Sequence, residues 1–461
     1  MTRKRRIIAL LAAAVCGGAL LWATTHWVMV PRGESDPAAT TPPEALTPDL
    51  DGERLVFLSV NTDVAAARLL ASWFHEDTGA VVKVREVAYD RMLDAVLDDV
   101  HAASPRYDVV EVWYPTIARL AEEGAIRELS ALLDSYAEVI RPGDFLAPVF
   151  EAYAEYDGGV WAMPYDVDIQ LLFHRQSLLA RHGLEAPETW SEYRHAARVI
   201  TEAERGDGVY GAATMGYPTA IINVSLFLNR LSAYDGRFLD AVGQPQLDSD
   251  EAVAALEEVV ELLPYAMPSA LETDYEVARD AFLAGRVALV EQWSDVGVSA
   301  NDRRYSTIAG DWGVTPLPGV AKGEGAGATL NAGFSLAVSS VAPNPDAAEA
   351  FLLYASSPQI QKRLNLSGTG IDVGRRSVLD SAAFRERFPE LADAVDAAFA
   401  GDVTRWPVLP ETPELMAALS RHIARAMAGD VEPADALAEA QADWERLLDN
   451  DQSETVGEAT R

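Results

Sequence analysis

The chain has 461 residues, enough for two or three ordinary domains or one large two-lobed body. With 49% hydrophobic and 23% charged residues it matches a folded globular protein, which excludes a wholly disordered chain or a polytopic membrane protein. Lys+Arg number 37 against 71 Asp+Glu, a net charge of −34, so the basic surface that general nucleic-acid binding needs is missing.

The first segment reads as an address. Arg3-Lys4-Arg5-Arg6 precede an uncharged apolar stretch from Ile7 to Val30, closed by Pro31-Arg32. A basic end followed by an apolar run is an export pattern, with the positive end held in the cytoplasm. Residues 1–33 are expected to be an export signal or a membrane anchor, because the run is long enough to span a bilayer. Cleavage near Ala23 is a further outcome. Cys16, the only cysteine, follows Ala13-Ala14-Val15 and is a possible lipidation site. The rest of the chain therefore has no intramolecular disulfide, Cys-based zinc site or Cys nucleophile. Each outcome puts the body outside the cytoplasmic membrane, in a periplasm or on the membrane's outer face, touching the membrane only through this segment. Residues 34–52, rich in Pro, Thr, Ala and acid, read as a flexible tether.

The body alternates strand and helix. Leu55–Val60 is a short apolar run and reads as a buried strand, followed by a helical pattern from Ala65 to His75 and a stop at Gly79. Strands are expected at 80–87 and 107–112, with helices at 89–100 and 116–123. This order implies mostly parallel sheets flanked by helices, with the ligand crevice beyond the carboxyl ends of the strands. Asn61, Asp63, Trp113 and Tyr114 follow strands and point toward that crevice. Further on, Val160–Tyr165 and Asp166–Phe173 are extended, and Val287–Val290 and Phe334–Val338 are strands. Helices are expected at 191–204, 221–232, 250–263, 275–284, 347–355, 415–427 and 434–448. The acidic stretch after Leu448, residues 451–461, reads as a frayed tail.

Several segments in this order resemble a known pattern. They include Phe74-His75-Glu76-Asp77-Thr78-Gly79, Tyr107-Asp108-Val109-Val110-Glu111, Met163-Pro164-Tyr165-Asp166 and Ala186-Pro187-Glu188-Thr189-Trp190. Ala281-Phe282-Leu283-Ala284-Gly285-Arg286, Gly313-Val314-Thr315-Pro316-Leu317-Pro318-Gly319 and Asn344-Pro345-Asp346-Ala347-Ala348 continue it. Over about residues 53–450 the chain resembles the extracellular solute-binding proteins of ABC importers, in the carbohydrate-binding class typified by maltose-binding protein. The resemblance implies an α/β, two-lobed periplasmic-binding-protein-like fold with a ligand cleft between lobes. Residues 53–165 plus 312–350 would form the N-lobe and 166–311 plus 351–450 the C-lobe. The crossings would fall at Pro164–Asp168, near Trp312 and near Phe351.

A sugar offers hydroxyls to fixed polar groups and C–H faces to aromatic rings, so its site mixes Trp or Tyr with Asp, Asn and Arg. The positions that fit are Asn61, Asp63, Trp113, Tyr114, Tyr165, Asp166, Asp168, Trp293, Asp295, Asn331, Phe334, Arg375, Arg376 and Trp406. The resemblance places a stacking Trp at Trp293 and an aromatic at Trp406; where relatives often carry Trp, this chain has Phe334. Trp161, Trp190 and Trp444 read as packing, and Gly323–Gly327 as a surface loop, because the Lys-Ser/Thr of a phosphate loop does not follow.

The resemblance implies a binding protein, not an enzyme, that captures a di- or oligosaccharide and delivers it to the membrane permease subunits of an ABC importer. It would act as a monomer, without cofactor or metal. A sensor subunit of the same fold is an alternative, as is a polyol, a glycerol phosphate ester, a polyamine or a metal complex as the solute. An exported glycoside hydrolase would need two carboxyls flanking a cleft; this acidic chain offers carboxyls but no recognisable hydrolase segment. A serine hydrolase would need a G-x-S-x-G elbow, which does not occur.

Overall fold

The computed structural model describes residues 42–323 and 327–458, with side chains through Asp449. The N-terminal segment with Cys16, the centre of the glycine-rich loop and the last three residues lie outside the described residues.

Apart from a short hairpin of Glu155–Tyr156 and Gly159–Val160, the strands in chain order are β1 Arg54–Val60, β2 Val81–Val87, β3 Val109–Trp113, β4 Met163–Asp166, β5 Gln170–His174 and β6 Tyr210–Ala213. They continue with β7 Val287–Trp293, β8 Gly313–Thr315, β9 Ala328–Leu330, β10 Phe334–Val338 and β11 Val403–Arg405. The helices that matter for the site are α1 Val64–Thr78, α2 Tyr275–Leu283, α3 Pro345–Ser356, α4 Thr412–Met427 and α5 Pro433–Glu458.

Two main sheets organise the body. The first runs β2-β1-β3-β10-β4 and the second β8-β5-β7-β6. β1 is parallel to β2 and β3, placing Phe57 beside Val84 and Val109. β10 instead runs antiparallel to β3 and β4. In the second sheet β6 and β7 are parallel, while β5 is antiparallel to both β7 and β8. The sheets are therefore mixed rather than mostly parallel. The cause is the crossings, since a strand that arrives from the other lobe is not tied to the direction a β-α-β connection imposes. β1, β3 and β7 alternate little in polarity because both of their faces are covered.

The first crossing falls where the residues suggest, between β4 of the first sheet and β5 of the second. The other two move. Trp312 does not begin a return to the first lobe, because Gly313–Thr315 pairs with β5 in the second sheet. The return comes later, between β9 and β10, at Asn331–Gly333. Phe351 is likewise no crossing. It lies in α3, fully buried against Phe57 and Phe74 at 5.4 and 5.1 Å between ring centres, so α3 belongs to the first lobe. The third segment to pass between the sheets comes after Asn365. There the Asp372 amide donates to Asp166 Oδ1 at 2.6 Å and the Leu146 amide to Gly374 O at 2.9 Å.

Two flanking expectations are also corrected. Residues 42–52 are part of the body, not tether: Leu46 is buried, and the Leu50 amide donates to Thr78 O at 2.8 Å at the end of α1. Two leucines four residues apart supply an apolar face that composition alone obscures. At the other end α5 continues as helix to Glu458, through residues expected to fray. The packing role of Trp190 and Trp444 holds; both are fully buried. Trp161 is partly buried and donates Nε1–H to Tyr156 O at 3.1 Å.

Candidate functional site

The carboxyl ends of β1, β4 and β7 converge on a cavity of about 200 Å³ between the two sheets. Asn61, Thr62 and Asp63 enter it from the end of β1, Asp166 and Asp168 from the first crossing, and Trp293 and Asp295 from the end of β7. Phe334, at the start of β10, Tyr89, and the Gly368-Thr369-Gly370 turn complete much of its wall. The start of α2 supplies Asp274, Tyr275, Glu276 and Arg279. This is the crevice position that strand ends create in open α/β sheets.

Local structure aims these groups. Asp63 occupies the N-cap of α1, where an Asp normally accepts from the first helical amides. Here its side chain makes no such bond, and Oδ2 has no hydrogen-bond partner although the residue is only 5% exposed. Asn61 Oδ1 accepts from the Tyr89 amide at 3.2 Å, which fixes Tyr89 at the rim. Asp274 caps α2 by accepting from the Val277 amide at 2.9 Å. One turn into the same helix, Tyr275 and Arg279 share a face, the guanidinium lying 5.0 Å from the ring centre. The Tyr275 hydroxyl donates to Asp295 Oδ2 and so ties α2 to the end of β7.

Trp293 is held from below. β7 extends three residues beyond the apolar run Val287–Val290, so Trp293 is its last residue rather than a loop residue. Its Nε1–H donates to Asn331 Oδ1 at 3.0 Å, and its ring lies 5.7 Å from that of Tyr275. Asn331 Nδ2 donates to Asn229 Oδ1 at 2.9 Å, and Asn229 Nδ2 donates to Glu291 Oε2 at 3.1 Å. Glu291 forms a fully buried ion pair with Arg230, whose guanidinium lies 3.9 Å over the Trp190 ring. A buried polar chain of this kind fixes orientation more than it adds stability.

The electrostatics are one-sided. Burial raises Asp63, Asp166, Asp168 and Asp372 above the ordinary carboxylate range, and the like charge of neighbouring carboxylates adds to the rise at the last three. Asp295 is pushed up to about 7 by burial, against the opposing effects of Tyr275 and Arg279. Behind them, fully buried Glu111 accepts from Ser59 Oγ at 2.8 Å and is raised by burial and by Asp63. Oxygens of Asp166, Asp168 and Asp372 lie within 4.8 Å of one another, close enough to hold a metal ion where the sequence suggested no metal.

The sequence-derived candidates divide. Asn61, Asp63, Asp166, Asp168, Trp293, Asp295 and Phe334 meet at the cavity. The other candidates sit elsewhere. Trp113 packs edge-on against Trp406 at 4.9 Å and lines an adjoining cavity of about 370 Å³ that shares Tyr89 and Ile221 with the first. Trp406 is itself buried, packed also on Phe238. Tyr114 stacks on Tyr153 at 4.3 Å and donates to Leu330 O at 2.6 Å, so it is core. Tyr165 is buried beneath the acidic cluster, and Asn331 supports Trp293 instead of lining the cavity. Arg375 is fully buried, bonded to Arg141 O and Asp144, with its guanidinium 3.8 Å over Phe145. Arg376 pairs with Asp396 near the surface. The turn before these arginines, Gly368–Gly370, is what reaches the cavity. Sequence reasoning missed Tyr89, Asp274, Tyr275, Glu276, Arg279 and Asp372. The available signal was a Tyr and an Arg four apart at the start of a capped helix.

Known proteins share this fold. A solute-binding protein from Agrobacterium radiobacter K84, solved with ribitol, superposes with a TM-score of 0.78 at 26% identity, covering 87% of this chain and all of that one. Maltose-bound T. maritima MalE3 superposes with a TM-score of 0.77 at 23% identity, covering 86% and 100%. A probable ABC transporter-binding protein of Deinococcus radiodurans is 32% identical over 211 residues, 45% of this chain and 49% of that protein. The chain thus matches about half the length of that relative. The fold is the two-lobed, MalE-like periplasmic-binding architecture. Residues 60–362 match the family of bacterial extracellular solute-binding proteins, and the chain belongs to that family.

Proposed function

We propose that the chain captures a carbohydrate, a polyol or sugar, in the acidic cavity between its lobes and hands it to the permease subunits of an ABC importer. The observation that carries this reading is Trp293 at the cavity wall. A flat indole stands beside carboxylates, the pairing that C–H faces and hydroxyls require. Phe334, Tyr89 and Tyr275 add further aromatic surface. The relatives support it, since one was solved with ribitol and another with maltose. The cavity suits one polyol or sugar unit, and the adjoining cavity beside Trp113 has room for a second.

In this reading the three crossings act as a hinge, and the closed, solute-bound form is what the importer recognises. Residues 1–33 export the body, which is then either released by cleavage or held at the membrane's outer face through Cys16 lipidation or retention of the segment as an anchor. Among the described residues no helix is long and apolar enough to cross a membrane. The family and its structural neighbours are binding proteins, which favours capture over catalysis.

The test is a thermal-shift screen of the purified chain against sugars, polyols and phosphate esters. A solute that binds only the native state raises the melting temperature with concentration. A rise with polyols or sugars is expected; a response confined to phosphate esters would overturn the reading.

A further inference from the structure

The cavity is lined by far more acidic than basic side chains. Its wall presents Asp63, Asp166, Asp168, Asp274, Glu276 and Asp295, and the guanidinium of Arg279 is the only cationic side chain among the described residues lining it. That guanidinium is already engaged, bonded to Asp280 and lying over Tyr275. A second observation is independent of the charge count. Asp63 is 5% exposed and lines the cavity, yet its Oδ2 has no hydrogen-bond partner, and Asp295 Oδ1 also lacks one. A buried carboxylate oxygen without a donor is costly unless something supplies one. The rings of Trp293 and Tyr275, 5.7 Å apart, stand on the same wall, and aromatic faces attract cations.

Resting on the carbohydrate reading above, we infer that the solute carries a positive charge: an amine-bearing sugar or polyol whose ammonium is received by Asp63 and Asp295 beside Trp293. A neutral polyol can donate hydroxyls to these oxygens but gives the acidic wall no counter-charge. An ammonium supplies three donors and the missing charge together. Burial has already raised the carboxyls above their ordinary range, which is the state a cation would relieve. An anionic solute, such as a phosphate ester or a sugar acid, meets a wall that is acidic except at Arg279.

The experiment compares matched pairs by titration calorimetry on the purified full-length chain at pH 7, where an aliphatic amine is protonated. The pairs are sorbitol with 1-amino-1-deoxysorbitol and glucose with glucosamine, and calcium chloride alone is a separate arm. The expected result is that the amine member of at least one pair binds tenfold tighter than its neutral partner. The advantage should shrink in Asp63→Asn and, as a second variant, in Asp295→Asn. Equal or tighter binding of the neutral members overturns this inference and leaves carbohydrate capture standing. A response to calcium with no preference for the amine also overturns it, assigning the carboxylates to a metal. Binding of neither member of either pair counts against both.

Discussion

Trp293 donates its indole N–H to Asn331 Oδ1 at 3.0 Å, which joins the last residue of β7 to the segment by which the chain returns to the first lobe. The ring that faces the cavity is thus fastened to a crossing between lobes. In the proposed reading this one hydrogen bond would couple solute contact to hinge geometry, and it rests on the buried Asn229–Glu291–Arg230 chain.

Substituting the ring should separate its two roles. Trp293→Phe keeps an aromatic face but leaves Asn331 Oδ1 buried without its donor, at a cost of about 1–3 kcal/mol in stability. Affinity for the captured solute should fall by less than in Trp293→Ala, because a ring still stands at the wall. Chemical denaturation and calorimetry on the same variant measure the two effects. An unchanged stability would mean that the indole bond does not hold the ring.

Gly333 has φ +85° and sits at the second crossing, where its amide donates to Asp168 Oδ2 at 3.1 Å. A Cβ there would lie 2.1 Å from the Tyr153 hydroxyl oxygen, and Tyr153 is itself pinned by stacking on Tyr114. Gly333→Ala should therefore destabilise by about 2–4 kcal/mol, combining left-handed backbone strain with overpacking. Urea unfolding checks this; a loss below 1 kcal/mol would show that the crossing is looser than its contacts imply.

Asp295 gives a pH prediction with a definite sign. Its folded-state value of about 7 lies above the ordinary value near 3.9, so between these limits the native state holds more protons than the unfolded one. Its contribution to stability is present below about pH 4 and is lost as pH rises toward 7. Tyr275, Arg279, Asp63, Asp168 and Asp372 all act on the same cluster, and the raised aspartates slope the same way. The diagnostic is therefore a difference. The melting temperature of Asp295→Asn minus that of the parent should grow more positive from pH 4 to pH 8 without solute. A constant difference would place Asp295 at an ordinary carboxylate value.

Much of the fold was legible because the strand cores and helix faces follow simple periodicity. Leu55–Val60, Phe334–Val338 and the helix near Asp250 come out within a residue or so. What sequence could not show was which sheet a short strand joins. Gly313–Thr315 reads as a connector, and only pairing with His174, Phe173 and Leu172 assigns it to the second lobe. The site was half legible for a similar reason. Asp63, Asp166, Asp168 and Trp293 lie at or beside strand ends, where chain direction alone points to the crevice. Tyr114, Arg375 and Trp406 have the right chemistry, but long-range packing buries them, and Tyr275 and Arg279 arrive on a helix whose docking no local pattern records.

The crossings also predict motion. Lobes joined by three short segments should populate open and closed forms, with solute favouring the closed one. Small-angle scattering of the chain should give a smaller radius of gyration at saturating solute. An identical profile at confirmed occupancy would mean a cleft of fixed shape.

The most direct test of capture at this cavity is titration calorimetry of the best solute from the thermal-shift screen against three proteins: the parent chain, Trp293→Ala and Arg376→Ala. Loss of a large aromatic at a binding centre typically costs about 2 kcal/mol or more, roughly a 30-fold weaker dissociation constant. The account predicts one solute per chain, a loss of at least that size in Trp293→Ala, and parent-like affinity in Arg376→Ala, whose side chain pairs with Asp396 away from the cavity. Parent-like affinity in a folded Trp293→Ala protein would contradict it and move the solute to another part of the molecule.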